Sequence, residues 1–313
     1  MEQKKKGLPA ANKPAGFRGE PLAEEGAGLH EKLKRSSTPQ ELIAECAAER
    51  DAAAIPALVR IAAESGDEEL AEAAREAVLS FGMDAAGSLA RIEAESPHPQ
   101  HKSCARELAA EVSYLHYSAR AKAGDVSAVG QIVGLFSDVS TGYELAERVR
   151  GIVIDEMGLA AVPELIRIAD AHDEPAFQDC AIVMISDIAA GNPGNPELLE
   201  AVPMLCRKIR ALEDIGVDRE IIEGIRSGGN PAGRSLLLLR AVHPAFSVVS
   251  NALELLRELW EQNPGNRGIE EAAYAALGKI GTKDPVLNDL VYRTIREICG
   301  IAPPLIKTDK IEN

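Results

Sequence analysis

The chain has 313 residues, a formal net charge of −15 and 46% hydrophobic residues, but only 4% aromatics. Small apolar side chains let helices pack closely, so this composition favours a helical stack over a sheet rich in β-branched and aromatic residues. The acidic balance argues against general binding to phosphate backbones and allows a basic protein partner, although plain solubility is the simpler reading of the charge.

No apolar run approaches the roughly 18 residues of a membrane span. Met1 to Lys6 is basic, but no apolar signal core follows it. Cys46, Cys104, Cys180, Cys206 and Cys299 are scattered, odd in number and without a Cys-x-x-Cys spacing. They read as reduced thiols in helix packing, hence a cytoplasmic setting.

Residues 1–36 carry eight Lys/Arg against five Asp/Glu without periodicity, the pattern of a disordered basic tail. Lys34-Arg35-Ser36-Ser37 reads as a polar linker before it reads as a kinase site. Order is expected to begin at Thr38-Pro39-Gln40-Glu41, where Thr38 caps, Pro39 takes the first helical position and Glu41 completes a capping box. Apolar periodicity then predicts helices over 39–50, 54–65, 68–81, 85–95, 99–122, 126–137, 142–157 and 160–171. Further helices are expected over 174–190, 196–212, 218–227, 232–242, 245–262, 267–280 and 285–299. Asn192-Pro193-Gly194-Asn195 recurs as Asn263-Pro264-Gly265-Asn266, the same turn chemistry twice. If Asn195 caps a helix with Pro196 first, Pro203 lies inside that helix and should kink it.

One heptapeptide recurs. Ala54-Ile55-Pro56-Ala57-Leu58-Val59-Arg60, Ala161-Val162-Pro163-Glu164-Leu165-Ile166-Arg167 and Ala201-Val202-Pro203-Met204-Leu205-Cys206-Arg207 fit one template, Ala-(Ile/Val)-Pro-x-Leu-x-Arg. The starts differ by 107 (161 − 54) and 40 (201 − 161) residues, and 107 is close to three steps of about 36. Each copy opens an amphipathic helix, and a second follows after a polar turn. After the first copy Asp67 suits an N-cap, and Gly82 closes the helix carrying Leu70, Ala74, Ala77, Val78 and Phe81. Neither helix alone buries its apolar face, so stacking against the next pair is required.

A two-helix unit of this length with an early Pro resembles the HEAT-repeat family and its bacterial HEAT-like relatives. The Ala-rich second helices, Glu72 to Gly82 and Glu271 to Gly281, look like that family's, and the resemblance covers roughly Pro39 to Gly300. It implies an all-α, right-handed α-solenoid of about six or seven HEAT-like helical hairpins over residues 37–300, irregular around 216–243, with a short C-terminal tail at 301–313. It further implies a non-enzymatic scaffold or adaptor that holds another protein, through a basic or helical segment, along a concave face; nucleic acid and membrane are not expected partners. Two other roles within the resemblance stay open: a bilin lyase-type cofactor-attachment subunit, or a structural stacking component of a larger assembly. The di-iron enzyme of this class, deoxyhypusine hydroxylase, needs several His-Glu pairs, and His30-Glu31 is the only such dipeptide here.

No catalytic, cofactor-binding or metal-ligating residue is assigned. The chain has no Gly-x-x-x-x-Gly-Lys loop, no Gly-x-Ser-x-Gly and no His-Glu-x-x-His. His98, His101 and Cys104 have soft-ligand chemistry, but Pro99 interrupts the helix between the two histidines. Arg60, Arg167 and Arg207 form either a ladder for an acidic ligand or, the simpler reading, ties to neighbouring carboxylates. Candidate partner-binding residues are Trp260, Tyr114, Tyr117 and Arg75, the aromatics serving as interface anchors or as half-buried packing.

Overall fold

A computed structural model of the chain describes residues 39–137, 143–211 and 244–277. The expected helices at 218–227, 232–242 and 285–299, both tails, the Thr38 cap and the irregular stretch at 216–243 lie outside these. Among the described residues all regular structure is helical: α1 (Pro39–Glu49), α2 (Ile55–Glu64), α3 (Glu68–Ser80), α4 (Ala86–Glu95), α5 (Pro99–Lys122) and α6 (Val129–Ser137). There follow α7 (Tyr143–Gly151), α8 (Val162–Ala171), α9 (Pro175–Gly191), α10 (Val202–Arg210), α11 (Pro244–Gln262) and α12 (Arg267–Leu277). Two compact units divide between Ser113 and Tyr114, within α5.

The helices follow from a local device that is repeated. At five places among the described residues a short 3-10 segment runs directly into an α-helix: Ala52–Ala54 into α2, Gly82–Ala85 into α4, Val126–Ala128 into α6, Gly158–Ala161 into α8 and Pro196–Ala201 into α10. The last 3-10 residue is always alanine, and Ala54, Ala85, Ala128, Ala161 and Ala201 are all buried. The residue four places on, Leu58, Leu89, Ile132, Leu165 or Leu205, is buried in every copy.

Two of these copies have glycine where the heptapeptide has proline, Gly87 and Gly130, which is why the template alone missed them. They fill the 107-residue gap. Three residues before the alanine the chain needs a tight entry. Asp51 and Asp125 supply it by accepting the Ala53 and Ser127 N–H groups at 3.0 Å, while Gly82 and Gly158 supply it with φ of +56° and +52°.

The same register governs the loops. Eleven positions after the alanine, Ser65, Ser96 and His172 each adopt an extended conformation and donate their backbone N–H to Ile61, Ile92 and Ile168 respectively. Their side chains then accept the N–H of Asp67, His98 and Glu174, two residues on. The next helix starts at Glu68, Pro99 and Pro175, the same offset each time.

Pro203 does not kink a helix. The chain divides instead: Asn195 caps the 3-10 segment by accepting the Glu197 N–H at 2.9 Å, and Pro203 falls in the first turn of a new helix, where its missing N–H costs nothing. The stretch expected as one helix over 142–157 likewise changes character, with α7 giving way to π-helical turns over Ile152–Met157.

In the first unit α1, α2 and α4 pack with α3 and the start of α5 around Ile43, Ile55, Leu58, Val78, Phe81, Leu89 and Leu108. In the second, α9 packs on α8 and α11. That α9–α11 contact has a polar seam: Asp179 accepts from Ser247 Oγ (2.7 Å) and Asn251 Nδ2 (2.6 Å), and Ser186 Oγ donates to Glu258 (2.9 Å). Hydrogen bonds between named pairs fix the register of two helices whose apolar faces alone would allow sliding. The two Asn-Pro-Gly-Asn turns agree nearly atom for atom. Asn192 and Asn263 donate their amides to Ile188 O and Leu259 O at 2.8 and 2.9 Å, and Gly194 and Gly265 take φ of +74° and +81°.

Candidate functional site

The first unit carries two features with chemical character. One is a pair of acidic faces. On α1, Glu41, Glu45 and Glu49 stand four residues apart, and on α3 so do Glu68, Glu72 and Glu76. All six are exposed, and none takes an ion-pair partner among the described residues. The one base on α3, Arg75, turns to Glu107 of α5 at 3.6 Å instead. Like charges at this spacing cost about 0.2–0.5 kcal/mol per pair. Residues 39–113 hold fifteen Asp/Glu against six Lys/Arg, so the whole unit adds to that field.

The other is an open cleft of about 130 Å³ between α2, the end of α4 and the start of α5. Its apolar lining comes from Pro56, Val59, Ile92 and Pro97, its polar lining from Arg60, Ser96, His98 and His101. His101 is buried, and its Nε2 lies 2.7 Å from Glu64 Oε1, the N–H donating to the carboxylate. Ser96 Oγ stands 3.4 Å from the other ring nitrogen while accepting the His98 N–H at 3.2 Å, which closes the turn. Burial would raise the Glu64 carboxyl, but its hydrogen bond to His101 and the nearby positive charges of His101, Arg60 and His98 bring it below its ordinary value. The His98 and His101 rings are tilted at 4.8 Å between centroids.

No family model, curated protein or solved structure matches this chain.

The residues singled out from sequence fall in both units. Arg75 belongs to the first, where it is tied to Glu107. Tyr114 and Tyr117 share the second half of α5, both half-buried. The Arg148 guanidinium lies 4.3 Å from the Tyr114 ring centroid, and Arg120 lies 5.7 Å from that of Tyr117. Cation–π contacts of this kind hold the rings against their own neighbours. Trp260 is half-buried on α11, beside the buried Leu255, Leu256 and Leu259, and makes no ring contact with either tyrosine among the described residues.

The arginines of the heptapeptide diverge. Arg207 makes a two-pronged ion pair with Asp170 of α8, both bonds at 2.9 Å, tying successive first helices together. Arg167 bonds Glu164 on its own helix, and Arg60 lines the cleft. Cys104 lies in the first unit's core, its thiol raised chiefly by burial. His98, His101 and Cys104 do not converge, and no group of three or more His, Cys, Asp or Glu among the described residues is placed to hold a metal. Likewise, no described helix is long and apolar enough to cross a membrane.

Sequence reasoning missed the acidic stripes and the Glu64–His101 pair. The first was legible as a four-residue spacing. The second joins residues 37 apart and needed the repeat register to be found.

Proposed function

We propose that the chain is a right-handed HEAT-like α-solenoid of about six or seven helical pairs that serves as a non-enzymatic adaptor, binding a basic, helical segment of another protein. The repeated 3-10-to-α joint and its common loop register support the solenoid, because units that share one geometry stack by one operation. The observation that carries the binding role is the pair of acidic stripes on α1 and α3. Six exposed carboxylates without counter-charges are a standing cost, and a partner bearing Lys or Arg at helical spacing relieves it. Aligned unpaired charge of one sign also speeds encounter with an oppositely charged segment.

The test is titration of the full chain with a Lys-rich amphipathic helical peptide and with its Glu-rich counterpart. Binding of the first alone, weakening steeply with added salt and abolished by Glu→Gln changes at Glu45, Glu49, Glu72 and Glu76, is the expected result. Equal binding by that variant would refute a role for the stripes.

A further inference from the structure

The repeat register shows where the first unit departs from its own rule. Sixteen positions after the buried alanine, two copies place an apolar residue, Leu70 packed on the first unit's core and Phe177 stacked on His172. The third places His101 there, buried and tied to Glu64. A local rule broken by a buried polar group marks a functional position more often than a random one. The cleft opens at this point.

The arginine beside it departs in the same way. Arg167 and Arg207 occupy the same template position and are both ion-paired. Arg60 has neither an ion pair nor a hydrogen bond among the described residues, although its charge is felt by Glu64. Glu64 lies outside the cleft lining, held by His101. The cleft thus gathers an uncommitted guanidinium, the exposed His98 imidazole and the N-terminal end of the 24-residue α5, all favouring negative charge, against a wall of Val59, Ile92, Pro56 and Pro97.

We propose that this cleft binds a small organic anion: a carboxylate seated on Arg60 and His98, with a short apolar body against Val59 and Ile92. Arg60 presents the planar fork that matches a carboxylate. His101 and Ser96 shape the floor, and Glu64 holds the His101 ring in place. The site is independent of the acidic stripes and needs no macromolecular partner.

The experiment is calorimetric titration of the full chain with butyrate, acetate and inorganic phosphate, alongside long-range proton–nitrogen spectra of the histidine rings. Saturable butyrate binding that moves the His98 and His101 resonances is the expected result, with butyrate tighter than acetate by roughly fourfold per methylene buried. Arg60→Gln should weaken it about tenfold or more. Arg167→Gln, at the same template position away from the cleft, should leave it unchanged. His98→Ala, at an exposed residue whose backbone N–H still closes the turn, gives a second loss should Arg60→Gln disturb the helices. The proposal is overturned by absence of saturable binding, by undiminished affinity in both cleft variants, or by acetate and phosphate binding as tightly as butyrate.

Discussion

His101 shows how much one side chain decides. It sits where its sister copies use Leu70 and Phe177, and its burial is tolerable only because Glu64 and Ser96 take both ring nitrogens. A carboxyl lowered in the folded state contributes stability above its ordinary value and loses it as pH falls through the folded one. Glu64 therefore contributes above pH 4.5, and its share fades below that. Because its carboxylate is 44% exposed, that share is under about 1 kcal/mol. Thermal melts from pH 6 to pH 3.5 should show a shallower acid loss in Glu64→Gln than in the parent; identical slopes would mean the pair is thermodynamically idle. Cys180 gives a second check at this scale. Burial, with Asp179 beside it, pushes its thiol up to about 12, so at pH 8 almost none is thiolate. Alkylation by iodoacetamide should be far slower in the folded chain than after unfolding, and a native rate equal to the unfolded one would contradict the packing of α9.

Between elements, the ties are of two kinds. Buried Leu165 and Leu205 anchor α8 and α10, and truncating either to alanine removes roughly 2–5 kcal/mol. The Arg207–Asp170 bridge adds a directed link between the same helices, at exposures that limit it to about 0.5–1 kcal/mol. A double-mutant cycle over Arg207→Ala and Asp170→Ala should recover that coupling, and a value indistinguishable from zero would remove the bridge from the list of ties. Most described helices were legible in the sequence because the i, i+3, i+4 apolar pattern and the Asp and Gly caps are local signals. The division at Pro203 was not. Proline interrupts one helix or starts another according to whether a 3-10 turn can precede it, and the buried Ala201 decides that only once its neighbours are packed. The copies at Ala85 and Ala128 were hidden because Gly87 and Gly130 stand at the proline position of the template. Of the site, the aromatics and Arg75 were visible as residue types, and Tyr117 with Arg120 is a local i, i+3 pair, but the commitment of Tyr114 to Arg148 and of Arg75 to Glu107 is tertiary and left no trace in spacing.

At the scale of the whole chain, the net charge of −15 is unevenly used. Much of the second unit's acid is spent on internal contacts, Asp125 with Arg120, Asp187 with Arg150, and Asp170 with Arg207, whereas α1 and α3 leave theirs open to solvent. The decisive measurement is affinity purification from native extract with two baits, the parent chain and the variant carrying Glu→Gln at positions 45, 49, 72 and 76, with retained proteins quantified by mass spectrometry. A stoichiometric partner held by the parent, released by salt and lost from the variant is the result expected of an adaptor that uses these faces. The same proteins retained in equal amounts by both baits would contradict it.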